Sequence, residues 1–402
     1  MLFNSSSFRR ASSGFGLVEV MVGMVIGMLG IIIMMQVSTL FGAQKRTTSA
    51  GSDALSSGAV TMYNLQREIG LAGYGFSSYS LLGCDVQLLN GTTISSIAPV
   101  QINYTDSAHP LGFPSVDVNT DTILVAYTRS DKQTMGAYIW PSPNAGTYAV
   151  EGPFAANDVV IPQLVPPPPP QSTRPACTSA NKLSMLTVSA TASGSITTTP
   201  TTGPVFPNGG GQLYNLGSQS QIVVQAYVIR NSVLTRCDLL VSDCFGGSTT
   251  DPTIWVPIAY NIVSMKAQYG VDPNFPETLS SYVAVNSATG QPNFQNTPIP
   301  NPNPSGFVLT PPSNNANCMW ARVPAVRIAL VARSSQIEKT AVTGTAPTWA
   351  GNATDVIDLS GTTTPTGTTW QNFRYSLFEN TIPLRNIVWM GLQTGSNGAN
   401  VC

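Results

Sequence analysis

Charge is what this chain has least of. Only 9% of its 402 residues are charged, 18 Lys and Arg against 19 Asp and Glu, where soluble domains carry roughly 25%. The net charge is −1, so no basic surface is on offer to a polyanion and no nucleic-acid contact is expected. Histidine is almost absent. His109, beside Pro110, stands alone, which argues against a triad or zinc site built on histidine and leaves a loop side chain expected to be solvated. Phosphate-loop and H-E-x-x-H patterns are missing. Ser179-Ala180-Asn181-Lys182 fits S-x-x-K, but Lys339-Thr340-Ala341 lacks the glycine of K-T-G and there is no S-D-N, so the constellation that chemistry needs is incomplete. No enzyme activity and no cofactor are expected.

What the chain does have is one long uncharged run. Val20 to Gln44 spans about 25 residues without a charge, enough to cross a bilayer with some tilt. At its edge stands Glu19, preceded by Gly14-Phe15-Gly16-Leu17-Val18. An acid within a bilayer costs on the order of 2.5–3.5 kcal/mol on insertion scales, so a retained one implies a partner. Residues 1–14 are short, polar and Ser-rich, with Arg9 and Arg10. They lack a secretory apolar region and read as a removable leader held on the cytoplasmic side, leaving the rest to face the periplasm.

The spacing predicts one helix from Phe15 to about Ala72. Gly23, Gly27 and Gly30 put small residues at helical spacing in its apolar half. Leu55, Ala59, Met62, Leu65, Ile69 and Ala72 form a stripe suited to packing under a globular domain. Gly42, Gly51 and Gly58 each weaken a helix by about 1 kcal/mol relative to alanine and are expected to kink or partly melt it. Gly70, Gly73 and Gly75 are stop signals. Beyond Phe76, strands are predicted over Thr122–Thr128, Leu183–Val188, Ile222–Arg230 turning at Asn231-Ser232 into Val233–Arg236, Ile262–Val271, Val326–Arg333 and Phe373–Thr381. In Ile262–Val271, Val263, Met265, Ala267, Tyr269 and Val271 are expected on one face. Pro166 to Pro170 reads as a rigid spacer, Gly209-Gly210-Gly211 as a flexible loop, and Pro298 to Pro312 as an exposed loop. The architecture expected is α+β: residues 15–75 as a membrane-spanning then amphipathic helix, packed on a β-rich domain at 76–402. The six cysteines, Cys84, Cys177, Cys237, Cys244, Cys318 and Cys402, all follow the apolar run. In an exported chain they suggest three disulfides, of which Cys237–Cys244 would close a local loop. Trp320, Trp370 and Trp389 are candidates for a sugar-binding or partner patch, although tryptophans near strands are more often core.

Gly14 before Phe15, with glutamate fifth from Phe15 and an apolar run behind it, resembles the leader of type IV prepilins and pseudopilins. Further stretches resemble the PilW type of minor pilin: Arg67 to Tyr74 (R-x-x-x-x-A-G-Y), Gln268-Tyr269-Gly270-Val271-Asp272, Val326 to Arg333, Phe373-Arg374-Tyr375 and Leu384-Arg385-Asn386. The resemblance implies cleavage by prepilin peptidase between Gly14 and Phe15 and N-methylation of Phe15. It also implies pairing of Glu19 with the N-terminal ammonium of a neighbouring subunit or its own. It implies an inner-membrane protein with a periplasmic domain that primes a type IV pilus and ends at its tip. Its partners would be other minor pilins, the major pilin and a tip adhesin. Some relatives carry a calcium-type loop after Y-G-V-D. Here Pro273-Asn274-Phe275-Pro276-Glu277 lacks the spaced oxygens, so no metal is expected. Two other readings remain: a J-class pseudopilin of type II secretion, whose relatives carry a smaller domain, and a membrane-anchored adhesin or binding module.

Overall fold

The computed structural model describes residues 16–78, 81–132, 135–164, 182–201, 203–246, 251–271, 293–295, 320, 323–349, 356–362 and 364–388. The chain forms two compact units, Met1–Ser52 and Asp53–Cys402, and the division falls within a single helix, Leu17–Gly70. Glu19 in its first turn and Arg67 in its last complement the helix dipole. The helix runs unbroken through Gly42, Gly51 and Gly58, where a kink or melting was expected. It also stops at Gly70, earlier than expected, because turns follow in which Gly73 (φ 85°) and Gly75 (φ 80°) take left-handed backbone.

In the second unit the end of this helix is covered by two antiparallel sheets. The five-stranded sheet has the order Val256–Tyr260, Val233–Asp238, Ile222–Arg230, Ile123–Thr128, Val100–Ile102. The four-stranded one runs Asn293–Gln295, Ile262–Val271, Ala325–Arg333, Tyr375–Pro383. Met62, Leu65, Ile69 and Ala72 share one core with Tyr127 and Val223 of the first sheet and with Met265 and Ile328 of the second. The stripe differs from the expected one at its start. Ala54 and Gly58 are buried, whereas Leu55 and Ala59 are exposed. The cause is Gly58. A Cβ there would lie 2.6 and 2.8 Å from Cδ2 and Cζ of the Phe378 ring, and closer still to Cε2, so the bare glycine is the seat for that ring.

The Ile222–Arg230 hairpin turns as the sequence predicts. Asn231 (φ 52°) and Ser232 (φ 60°) are both left-handed, as a two-residue type I′ turn requires. The Asp117 carboxylate accepts both of their N–H groups, at 2.7 and 2.8 Å. The return strand continues to Asp238 rather than Arg236. Ile262–Val271 has the predicted bounds but not the predicted single face. A bulge between Ile262 and Ser264 turns Val263 away from Met265, Ala267 and Tyr269. Val263 packs with Trp349 and Ile357 on the far side of the sheet. The last strand begins at Tyr375, two residues later than expected, and closes at Pro383.

Two further sheets belong to the second unit. Leu183–Val188 is not one strand. Leu183–Ser184 pairs in parallel with Val86–Gln87, and after Met185 the chain enters another sheet as Leu186–Ala192. That sheet is a closed six-stranded barrel of Ser195–Thr199, Thr147–Val150, Ala137–Trp140, Gly211–Ser218, Asp158–Leu164 and Leu186–Ala192. It is inserted between Ile123–Thr128 and Ile222–Arg230, which are themselves paired neighbours. Its interior holds Ile139, Tyr148, Val160, Leu186, Phe206 and Leu213. Its outer face sends Val159, Ile161, Tyr214 and Leu216 into the adjoining core. Gly211, expected in a flexible loop, starts a barrel strand against the Phe206 ring, which leaves no room for a Cβ. Pro166 to Pro170 and Pro298 to Pro312 lie outside the described residues.

Candidate functional site

The first unit contributes one apolar helix face after another. Leu17–Thr39 spans 23 residues at a mean hydropathy of 2.5, and none of its window is buried. At 1.5 Å per residue this is about 35 Å, against roughly 30 Å for a bilayer's hydrocarbon core. Leu17, Met24, Ile26 and Met34 are all more than 60% exposed, a state that water penalises and lipid or other helices relieve. Glu19 sits in the first turn, its N–H donating to the Gly16 carbonyl at 2.9 Å. Its side chain is exposed and makes no hydrogen bond or ion pair among the described residues. At 3.6 residues per turn, Glu19, Gly23, Gly27 and Gly30 fall within about 80° of one another. Nothing lies within 4 Å of a Cβ built on these three glycines. The face is therefore smooth, with one carboxylate at its N-terminal end. In a low dielectric such a carboxylate is a strong acceptor for a cation. Gly14 and Phe15 lie outside the described residues.

In the second unit, Arg67–Tyr74 and Leu384–Asn386 come together where the helix ends, whereas Phe373–Tyr375 lies beside Arg333 at the far end of its strand. Asn386 Nδ2 donates to the carbonyls of Leu71 (3.1 Å) and Ala72 (3.0 Å), groups a helix end leaves unsatisfied. Gly73 N–H then donates to the Ala126 carbonyl (2.8 Å) and Thr128 N–H to that of Tyr74 (2.9 Å). The turns that leave the helix thus lie along Ile123–Thr128. At Gly75 a side chain would strike Thr128, so the A-G-Y-G run follows from close backbone approach. The Tyr127 hydroxyl donates to Glu68, and Arg129 Nη2 donates to that hydroxyl at 2.8 Å. Burial, and next the hydrogen bond to Glu68, push the Tyr127 phenol up to about 12. Tyr269 is fully buried. Its hydroxyl accepts the Ile102 N–H at 2.6 Å and its ring meets Trp320 edge-on at 5.6 Å. These residues clasp the helix end to both sheets, beside a cavity of about 250 Å³ lined by Gln66, Arg67, Leu71, Ile382 and Arg385.

The remaining candidates scatter. Cys237 and Cys244 are joined. Cys84 is also disulfide-bonded, while Cys177, Cys318 and Cys402 lie outside the described residues. His109 is not merely solvated: Nδ1 lies 3.1 Å from Asp106 and its ring stacks on Phe245 at 3.8 Å. Burial alone would raise the Asp106 carboxyl, but hydrogen bonds from Tyr104 and His109 outweigh it and hold it below the usual range. Trp320 is buried, Trp370 is half-buried near Tyr375, and Trp389 is outside the described residues, so Trp320 cannot be part of a surface patch. Ser179 and the stretch after Asp272 are also outside. Among the described residues no three His, Cys, Asp or Glu side chains converge as a metal site would require. Sequence reasoning missed the capping role of Asn386, the turn-holding Asp117 and the seat at Gly58. All three depend on contacts between residues far apart in sequence.

Two family models match. Residues 226–386 match the type IV pilus-assembly protein W (PilW) family, and residues 9–35 match the prokaryotic N-terminal methylation motif. No curated protein and no solved structure gives a match. The two matches support a PilW-type minor pilin of the type IV pilus, and with it involvement in pilus assembly as a processed pilin. A prepilin-type apolar helix suggests a membrane-anchored protein, and a pilin role is structural.

Proposed function

We propose that this PilW-type minor pilin is cleaved between Gly14 and Phe15, methylated on Phe15, and built into the tip of a type IV pilus, where it primes assembly. The observation that carries the reading is the position of Glu19: one acid in the first turn of a wholly exposed apolar helix, inside the segment that matches the methylation motif. Before assembly, Leu17–Thr39 holds the subunit in the inner membrane with its β domain in the periplasm. During assembly the helix leaves lipid for the filament core. A lone carboxylate in either place costs on the order of 2.5–3.5 kcal/mol on insertion scales. That cost is offset when the carboxylate meets the N-terminal ammonium of an adjacent subunit. The glycine face at 23, 27 and 30 lets a neighbouring helix approach closely enough for the two charges to meet. The partners are other minor pilins, the major pilin and a tip adhesin.

The test is entry into filaments. In cells carrying Glu19→Ala, sheared pili are expected to lack the subunit while the membrane fraction keeps it at normal abundance. Wild-type recovery of the variant in sheared pili would overturn the pairing.

A further inference from the structure

The six-stranded barrel is not needed to complete the helix-and-sheet core. Residues 137–218 interrupt two strands that pair directly, Ile123–Thr128 and Ile222–Arg230, and none of them belongs to the core around the helix; Val159, Ile161, Tyr214 and Leu216 cover the opposite face of that sheet. The barrel has its own interior and lies outside both family matches. An inserted module of this kind is where a function beyond the shared scaffold is most readily carried.

Its outer face carries an unusual pair. Tyr138 and Trp140 are 51% and 55% exposed, on the side of their strand away from the buried Ile139. Their rings lie 5.1 Å apart at 78°, forming a right-angled corner of two apolar faces with a phenol and an indole N–H at the edge. The row across the barrel from Trp140 continues through Ala149 to Ser195, and the parallel row holds Thr147 and Thr197. Gln212 stands beside Tyr138, and Ser189 bonds Thr197 Oγ1 at 3.3 Å. Among all six strands the one charged residue is Asp158, which is buried. Glu151, directly after Val150, is exposed just past the end of the neighbouring strand.

We propose that the barrel binds a neutral polysaccharide, with Tyr138 and Trp140 stacking on the apolar face of a sugar ring. The match is one of charge and shape. A polyanion would lose hydration against a face with no counter-charge. A sugar presents a C–H face to an aromatic ring and hydroxyls at its rim. Near the rings, Gln212, Ser195, Thr147 and Thr197 offer amide and hydroxyl groups that exchange hydrogen bonds with such a rim at little cost. Perpendicular rings favour a ring at a chain bend or branch, stacked on one face and bounded by the other.

The experiment uses the full chain in micelles of a zwitterionic detergent without a sugar headgroup, passed over chitin, cellulose and amylose resins. At least one resin is expected to retain it, and a soluble oligosaccharide of the same repeat to release it. The double substitution Tyr138→Ala, Trp140→Ala should cut retention by about tenfold or more. Trp140→Phe, which keeps a ring, should retain most of it. Both rings are exposed, so the melting point of each variant should match wild type. Raising the salt well past physiological strength should leave retention unchanged, since no charge pair is involved. Passage through all three resins, equal retention of the double variant, or loss of retention in salt would each overturn the proposal. So would loss of the subunit from sheared pili in the double variant without any polysaccharide binding, which would make the corner a pilin contact instead.

Discussion

Adding one carbon at Gly58 sets two known effects against each other. In a helix interior Gly→Ala gains about 1 kcal/mol. The alanine Cβ would lie 2.6 and 2.8 Å from two atoms of the Phe378 ring and closer to a third. Phe378 is half-buried against the core formed by Met62, Leu65 and Ile328, so its ring moves only by disturbing that packing. Overpacking of this kind costs about 1–3 kcal/mol. Gly58→Ala is therefore expected to destabilise by about 0–2 kcal/mol with Phe378 present. On a Phe378→Ala background the obstacle is gone, and the same substitution should stabilise by about 1 kcal/mol. The difference, about 1–3 kcal/mol, is the coupling between the two sites. Urea midpoints by tryptophan fluorescence and by far-ultraviolet circular dichroism, in micelles, measure all four corners of the cycle. Their coincidence checks that one transition is being followed. Gly58→Ala raising stability with Phe378 in place, or shifting both backgrounds equally, would refute the packing argument.

Two further outcomes follow from the helix exit and the buried phenols. Asn386→Ala leaves the Leu71 and Ala72 carbonyls without the donors they have at 3.1 and 3.0 Å. It should cost about 1–3 kcal/mol and speed hydrogen exchange in the last turns of the helix before the rest of the second unit. For pH, burial first of all raises Tyr127, Tyr148 and Tyr375 to about 12. Their ordinary value is near 10. Between these values the folded state holds protons that the unfolded state has lost, so stability falls as pH rises. The urea midpoint should be level below about pH 10 and drop towards pH 12, in step with tyrosinate absorbance at 295 nm. Tyr127→Phe should make that drop shallower.

Much of the frame was legible from local pattern. Ile222–Arg230 and Ile262–Val271 keep their predicted bounds because both are flanked by turn residues, Asn231-Ser232 and Asn261. The apolar run and Glu19 were legible because an uncharged stretch of that length has few structural uses. What failed was decided across the chain. Alternation alone could not reveal that Val263 sits at a bulge, since the extra residue is visible only against the partner strand Ala325–Arg333. The stripe was placed on Leu55 and Ala59 because hydrophobicity was the guide, whereas a ring from residue 378 chose Gly58. Leu183–Val188 looked continuous because nothing local marks Met185 as the point where the chain changes sheets. The barrel was missed for the same reason. Leu186–Ala192 and Ser195–Thr199 are rich in Thr and Ser, so their alternation is weak, and closure depends on pairings between distant strands. Asn386 was quoted within a motif, but its task appears only beside Leu71, 315 positions earlier.

The central claim is that the chain enters the pilin pathway through its first 19 residues. The most direct measurement is the N-terminal mass of the protein recovered from membranes, with and without prepilin peptidase. A chain beginning at methylated Phe15, and found uncut when the peptidase is missing, is the predicted result. A chain beginning at Met1 in cells with active peptidase would contradict it and leave Leu17–Thr39 as an uncleaved anchor.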